Sequence, residues 1–530
     1  MRKFKLLCIL TLCICAASFG FAGIGFSGVR AADTGVSISG SSSFREANTQ
    51  GQRIDMYLIA GQSNASGNSR NIAAPAVQEA LYIGEREEAV GSSGMFCRND
   101  VSTGLGINAE MMGPEYGLAA GLKQYYSPDQ PACIFKTAAG GTTLTDVVSG
   151  ALPERFGNWY PRSMWDSPEH DGNSRTGYLY YRFIRNFEAA YNLLKEKGYS
   201  PVVKAFCWMQ GESDRGQPML YEQLIKTFIT DMREDIGKIT GVDQSGLLFI
   251  MGEISLTFSS YSDMSANENF IEMQRRVAAS ANPAKVATVK SSELYINDRG
   301  ANGSSVVVGS DRYHWSGADM NTLGNMFAEC AAENADKNYL QITEDANCEI
   351  TADKTMFNDG ESLSITVRPY NSNYHLSKLF VNDIDVTSEM DGNVYVVPAT
   401  SGNYSVRIES GERRYFNISY SYDDSRGTYD RRKSSPVKLY EGNQLVVVPE
   451  AFDGYYVESV TFNGVALKEG INGRYVLEEA VTADGEIEIK FASEGESGED
   501  NDNTGCNKEN AAIVLYALGA LAASALILKK

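Results

Sequence analysis

Ser63 stands between two amides, in Gly61-Gln62-Ser63-Asn64, directly after the apolar run Met56–Ala60. The carboxyl end of a buried strand is where open α/β sheets place reacting groups. Gly, Ser and Asn are equally the ordinary residues of a turn. A serine hydroxyl becomes a nucleophile only beside a base, and at neutral pH the base of choice is histidine. The chain has three histidines: His170, His314 and His375. His170 lies in the polar stretch SPEHDGNS beside Trp165, and His314 in GSDRYHWSGADMNTLG with Asp311 three residues earlier. Residues three apart on one turn share a face. The Asp311 carboxylate can therefore reach His314 Nδ1 and leave Nε2 to take a proton from Ser63, the division of labour of an acyl-transfer triad. By itself D-x-x-H also describes a solvated turn.

Two further stretches meet the need for donors to a developing oxyanion. In TAAGGTT, Thr137–Thr143, glycines follow an apolar strand and let backbone N–H groups approach a substrate oxygen. In FCWMQGESD, Phe206–Asp214, another apolar strand ends in polar residues, and Gln210 can donate its side-chain amide. An ordinary βα turn and a helix start capped by Ser213 or Asp214 describe these stretches as well. Four polar exits from strand ends on one edge of one sheet form a stronger pattern than any of them alone. Gln62 and Asn64 then read as holding a turn that aims Ser63. Glu212, Asp214 and Trp165 are further candidates for a pocket wall, with capping or packing as the alternative for each.

The elements that must position these residues alternate. Strand runs at Met56–Ala60, Ala132–Lys136, Val202–Met209, Leu247–Met251 and Val286–Val289 are separated by helical stretches such as LYYRFIRNFEAAYNLLKEKG, with Phe183, Phe187, Ala190 and Leu194 three and four apart. This predicts a doubly wound α/β domain over residues 52–340. Beyond it, strand-like stretches rich in Tyr, Val and Ile are broken by Asn, Asp and Gly. NYHLSKLFVNDIDVT, Asn373–Thr387, repeats as GYYVESVTFNGVALK, Gly454–Lys468, at an offset of 81 residues. Two small β domains are expected, 345–420 and 435–492, with hairpins at Asn382-Asp383 and Asn463-Gly464. His375 aligns with Tyr456 and reads as a packing position. Spacers are one role for these repeats. Sugar stacking on exposed Phe452, Tyr455 and Tyr456 is another.

The ends carry their own signals. Residues 1–31 have Arg2, Lys3 and Lys5 before an apolar run and a small-residue site ending at Ala31, the layout of a secretory leader. Residues 493–510 are an acidic linker, and Ala511–Leu528 is apolar throughout and followed by two lysines. As a helix that run rises about 27 Å at 1.5 Å per residue, close to the hydrocarbon core of a bilayer. The expectation is an exported protein held on the outer face of a membrane, with the lysines inside. The formal charge of −20 argues against nucleic acid as a partner. Outside the leader the cysteines are scattered with no metal spacing; Cys330 and Cys348 can pair in an oxidising compartment. Composition leaves the oligomeric state open.

Taken as a set, Gly61-Gln62-Ser63-Asn64, Gly113-Pro114-Glu115, Gly140-Gly141-Thr142, Gln210-Gly211-Glu212-Ser213-Asp214 and Asp311-x-x-His314 resemble the sialate O-acetylesterase group of SGNH hydrolases, and the related family-six carbohydrate esterases. The resemblance spans Ile54–Leu340, in family order. It implies a flavodoxin-like α/β domain that removes O-acetyl groups from carbohydrates without metal or cofactor. Ser63 is then the nucleophile, His314 the base and Asp311 its orienting acid. The oxyanion donors are the Ser63 N–H, an N–H at Gly140 or Gly141, and the Gln210 amide. Ala65 and Trp315 depart from the family pattern beside the expected acyl pocket and leave substrate size open. A lipid or aryl esterase on the same machinery, or a non-catalytic glycan-binding surface protein, are the alternatives.

Overall fold

The computed structural model describes residues 36–86, 94–125, 130–146, 156–167, 169–259, 264–294, 313–429 and 435–493. The expected leader, Asp311, the acidic linker beyond 493 and the apolar run 511–528 lie outside them. Among the described residues no helix is long and apolar enough to cross a membrane.

Strands β1 (Ser37–Ser39), β2 (Gln52–Gly61), β3 (Ala80–Gly84), β4 (Gly94–Arg98), β5 (Ala132–Ala138), β6 (Tyr199–Met209), β7 (Leu248–Gly252) and β8 (Val286–Val289) form an eight-stranded sheet. Their order is β1-β4-β3-β5-β2-β6-β7-β8, and only the β3–β4 pair is antiparallel. Within it, β5-β2-β6-β7-β8 has the 2-1-3-4-5 order of flavodoxin-like sheets. After β2 the chain goes to β5 on one side and then to β6 on the other. The topological switch therefore lies at the carboxyl ends of these three strands, the place where such sheets bind ligands. All three carry near-continuous apolar runs because a parallel strand here is covered on both faces; Ile54, Met56, Leu58, Ile59 and Ala60 of β2 are fully buried.

Among the described residues the α-helices are α1 (Ser63–Ser66), α2 (Glu115–Leu122), α3 (Tyr178–Glu196), α4 (Pro218–Thr240), α5 (Met264–Ala279) and α6 (Gly317–Asn334); α2 to α6 follow the expected positions, and α1 is one helical turn where a tight turn was expected. The three-and-four spacing on α3 does what it predicts. Phe183 and Phe187 are fully buried and meet Phe135 of β5 edge-on, at centroid distances of 5.4 and 5.9 Å. α6 is drawn close to α2, because a Cβ on Gly324 would sit 2.2 Å from the Pro114 carbonyl oxygen. Ser316 caps α6 by accepting the Asp319 N–H at 3.1 Å. That starts the helix just after His314 and fixes where His314 leaves the fold.

The chain divides into two compact units at Gly411/Glu412. The first unit also holds a five-stranded sheet built on β9 (Asn338–Ile342), β10 (Tyr374–Val381), β11 (Ile384–Asp385) and β12 (Tyr404–Glu412), in the order β9-β12-β10-β11 with Met356–Phe357 beside β9. The second unit repeats that order with β13 (Tyr415–Tyr422), β16 (Gly485–Ser493), β14 (Tyr455–Phe462) and β15 (Val465–Ala466), flanked by Val437–Tyr440. Each small sheet recruits a strand from ahead of the aligned repeat: β9 pairs in parallel with β12, and β13 with β16. The hairpins turn where expected, with φ +48° at Asn382 and +47° at Asn463. One expectation fails, and one open question is answered. His375 and Tyr456 are both exposed, so this repeat position faces water instead of packing. Cys330, on α6, and Cys348 are free thiols, not a disulfide.

Candidate active site

The exit of β2 is shaped by a glycine and then locked by side chains. Gly61 has φ +137°, and a Cβ there would meet the Met209 carbonyl oxygen at 2.0 Å, so no other residue fits between β2 and β6. Gln62 donates its N–H to Met209 O at 2.9 Å, and Ala139 donates to Gly61 O at 3.1 Å, which stitches the ends of β6 and β5 to that of β2. Ser63 opens the one-turn helix α1 and is 8% exposed. As the first helical residue, its N–H has no partner within the helix.

Beneath α1 lies a buried ion pair. Lys136, in the middle of an otherwise apolar β5, donates to Ser66 O at 3.0 Å, Leu105 O at 2.6 Å and Glu115 Oε2 at 3.0 Å. Glu115 Oε1 accepts the Gly113 N–H at 2.9 Å. Gly-Pro-Glu thus acts from below the turn that carries Ser63. Burial lowers the Lys136 pKa, and the Glu115 carboxylate opposes that shift.

Gln62 and Asn64 do more than hold a turn. Gln62 Oε1 accepts the Ser213 N–H at 3.2 Å, reaching across to the β6 exit. Asn64 Nδ2 donates to Glu212 Oε1 at 2.8 Å and to the Tyr313 carbonyl at 3.3 Å. The second bond ties the segment carrying His314 to the turn carrying Ser63. Glu212 is fully buried, and its other oxygen has no partner. Burial pushes its carboxyl above the usual carboxylate range, while the Asn64 amide and the charge of His314 pull it back. Among the described residues Glu212 is therefore a carboxylate within electrostatic reach of His314. The sequence reading placed it in a pocket wall because only its position after a strand, not its partner, was visible.

Asp214 is a clamp. It accepts the Leu144 N–H at 2.9 Å, the Thr145 N–H at 3.3 Å and the Thr145 hydroxyl at 3.0 Å, so it fastens the segment after Gly140 and Gly141 to the β6 exit. Burial raises its pKa and these donors lower it. The Gln210 amide nitrogen contacts Asp214 Oδ2 at 2.5 Å, Thr142 O at 3.1 Å and Gln62 Oε1 at 3.4 Å. Its donors are spent within the protein and its Oε1 is the unpartnered atom, so Gln210 does not present a free amide to an oxyanion. Gly141 has φ +66°, the left-handed conformation a glycine allows.

Other expectations are corrected by burial. Glu212 and Asp214 are 0% and 2% exposed and work as internal ties, not as a pocket wall. Trp165 lies in a separate cavity that neither Ser63 nor His314 lines. Trp315 and Ala65 are fully buried, with the Trp315 indole donating to Leu294 O at 3.2 Å, so neither lines an open acyl pocket. Sequence reasoning missed Tyr313, Phe258 and Arg215. The Tyr313 ring is half exposed and packs on Phe258 at 5.5 Å, and the Arg215 guanidinium lies over Phe258 at 5.1 Å while donating to Glu212 O at 3.1 Å. The Tyr313 ring lies 6.5 Å from that of His314. No spacing in the sequence joins three segments this far apart.

Among the described residues no cluster of three or more His, Cys, Asp or Glu side chains is arranged to hold a metal. Solved structures to which the chain shows similarity include a protein from Arabidopsis thaliana, at 16% identity over 53% of this chain and 98% of that one, with TM-score 0.37. NanS matches at 14% identity over 54% of this chain and 98% of its own, with TM-score 0.36. A carbohydrate acetylesterase from Xanthomonas citri matches at 14% identity over 64% and 72%, with TM-score 0.31. No curated protein matches the chain. Residues 53–333, just over half the chain, match the family model described as carbohydrate esterase, sialic acid-specific acetylesterase. The chain belongs to that carbohydrate acetylesterase family and is a carboxylic ester hydrolase.

Proposed function

We propose that this protein removes O-acetyl groups from sialic acid or an acetylated polysaccharide, with Ser63 as nucleophile and His314 as base. The observation that carries the proposal is the position of Ser63 at the switch point, with the His314 segment tied to it through Asn64 and Tyr313 O. Ser63 Oγ attacks the acetyl carbonyl while His314 Nε2 takes its proton. The tetrahedral oxyanion is held by the Ser63 N–H and an N–H at Gly140 or Gly141. Losing one such donor typically costs about 3–4 kcal/mol. His314 then protonates the leaving sugar hydroxyl, and water activated by the same imidazole hydrolyses the acetyl-enzyme. Asp311 is the orienting acid by its i, i+3 spacing. Glu212 stabilises the imidazolium from beneath, through charge.

The chain makes no demand for a metal or cofactor in this mechanism. Its leader and apolar C-terminal run support export and tethering to the outer face of a membrane. The test is acetate release by the purified protein, beside Ser63→Ala, from acetylated sialic acids, acetylated xylan and an aryl acetate. Release that disappears in the variant supports the mechanism, and the ranking of the panel gives the substrate class. No release from any of them, with the fold intact by circular dichroism, contradicts it.

A further inference from the structure

Between the β5 exit and α3 lies a cavity of about 530 Å³, whose lining includes Asp146, Tyr160, Trp165, Asp166, Glu169 and His170. It starts one residue beyond Thr145, which Asp214 holds, and Tyr160 follows Trp159, whose indole donates to the Thr142 hydroxyl at 3.2 Å. The cavity therefore flanks the same segment that carries Gly140 and Gly141.

One wall is aromatic and fixed. The Trp165 indole donates to Tyr160 O at 3.0 Å and meets the Tyr180 ring edge-on at 5.5 Å. The His170 ring lies 5.1 Å from that of Trp165 and stacks on Tyr181 at 4.7 Å and 14°. His170 Nδ1 accepts the Gly172 N–H at 2.9 Å, which puts the proton on Nε2, 3.1 Å from Thr176 O. Both ring nitrogens are occupied and burial lowers the His170 pKa, so the ring is neutral.

The rest of the lining is acidic and polar. Asp146, Asp166, Glu169 and Asp171 contribute to it beside Ser167, Ser174 and Thr176, and among the described lining residues there is no lysine or arginine. Among the described residues no three such groups are arranged for a metal. An aromatic face beside separated carboxylates matches the two surfaces of a sugar ring: apolar C–H groups for the rings, hydroxyl donors for the carboxylates.

We infer that this cavity is a subsite for a neutral sugar unit of the substrate glycan, removed from the unit that bears the acetyl group. Its place in the reaction rests on the ester hydrolysis proposed above. An anionic sugar is disfavoured here by like charge with no lysine or arginine among the described lining residues to offset it.

The test is calorimetric titration of the full chain with xylotetraose, cellotetraose, chitotetraose and N-acetylneuraminic acid, repeated with Trp165→Ala and with Asp166→Asn. Asp166 is exposed, so its variant does not endanger the fold. The expected result is saturable binding of a neutral tetraose, weakened at least tenfold by either substitution, and no binding of the acid sugar that depends on these residues. The inference is overturned if no neutral tetraose binds, if both variants bind as well as the wild type, or if N-acetylneuraminic acid depends equally on Trp165 and Asp166. Aryl acetate turnover by the wild type, measured in parallel, reports the esterase separately; its absence alongside intact tetraose binding sinks the esterase and not the subsite.

Discussion

Asparagines at strand ends behave differently in the two kinds of region. In the small sheets, Asn463 donates its N–H to Glu486 O and accepts the Glu486 N–H on Oδ1, both at 2.9 Å. Asn382 does the same with Ser405, at 2.9 and 2.8 Å. At the end of β2, Asn64 gives its amide to Glu212 and Tyr313 O, and its Oδ1 is buried without a partner. Among the described residues, the unpartnered buried side-chain atoms all fall between Asn64 and Asn321, and three of them belong to Asn64, Gln210 and Glu212 around Ser63. Buried polar atoms in native proteins are nearly always satisfied. Three of these exceptions lie beside Ser63, and a second group lies on Tyr82, Glu85, Arg86 and Arg182, so each marks a place where an unsatisfied buried group costs stability.

The comparison breaks most visibly at the backbone. Gly61→Ala forces a Cβ against Met209 O in a left-handed conformation, and is expected to destabilise the first unit by about 3 kcal/mol or more. Chemical denaturation will show it, with activity lost together with the fold.

Glu212→Gln separates function from stability. Activity on an aryl acetate should fall by about 10²-fold, because the carboxylate facing His314 is gone while the bond from Asn64 can persist. Stability should move the other way. The folded Glu212 pKa is raised, so its contribution is fully present below the ordinary carboxylate pKa and is lost as pH rises through the folded value. The variant should therefore match the wild type in acid and become more stable as pH rises to neutral, by on the order of 1–3 kcal/mol. Melting curves across pH check this; a variant less stable than the wild type at neutral pH would count against the trade-off.

Asp214→Asn loosens the segment after Gly140 and Gly141. Acetate release should show kcat down by roughly tenfold to a hundredfold with a smaller change in KM, as expected when donors to an oxyanion are misplaced and binding is not. Smallest of all, Asn382→Ala and Asn463→Ala should each destabilise their own sheet by about 1 kcal/mol, from one lost hydrogen bond and a strained left-handed residue. Neither should change turnover of an aryl acetate.

Much of this was legible in the sequence. Strands β2, β5, β6, β7 and β8 and the long amphipathic helices announce themselves because a buried parallel strand is a continuous apolar run and a covered helix repeats every three to four residues. Strands β1, β3 and β4, which extend the sheet beyond β5, escaped; β1 and β4 are half exposed and carry no continuous apolar run. Ser63 and His314 were visible through neighbours in the chain. The partners of Gln210, Glu212 and Asp214 were not, since their bonds reach residues 68 to 148 positions away or fold back within the same turn. His375 and Tyr456 were read as packing positions and face water, whereas Leu379 and Val460, four residues on, are buried, so each strand turns inward only along its second half.

The most direct measurement is covalent trapping. The purified protein is treated with an active-site-directed fluorophosphonate, digested and analysed by mass spectrometry, with residual acetate release followed in the same sample. The account predicts one adduct per chain, on Ser63, formed in step with loss of activity and absent from Ser63→Ala. Full inactivation with the adduct on another residue, or unchanged acetate release by Ser63→Ala, would contradict it.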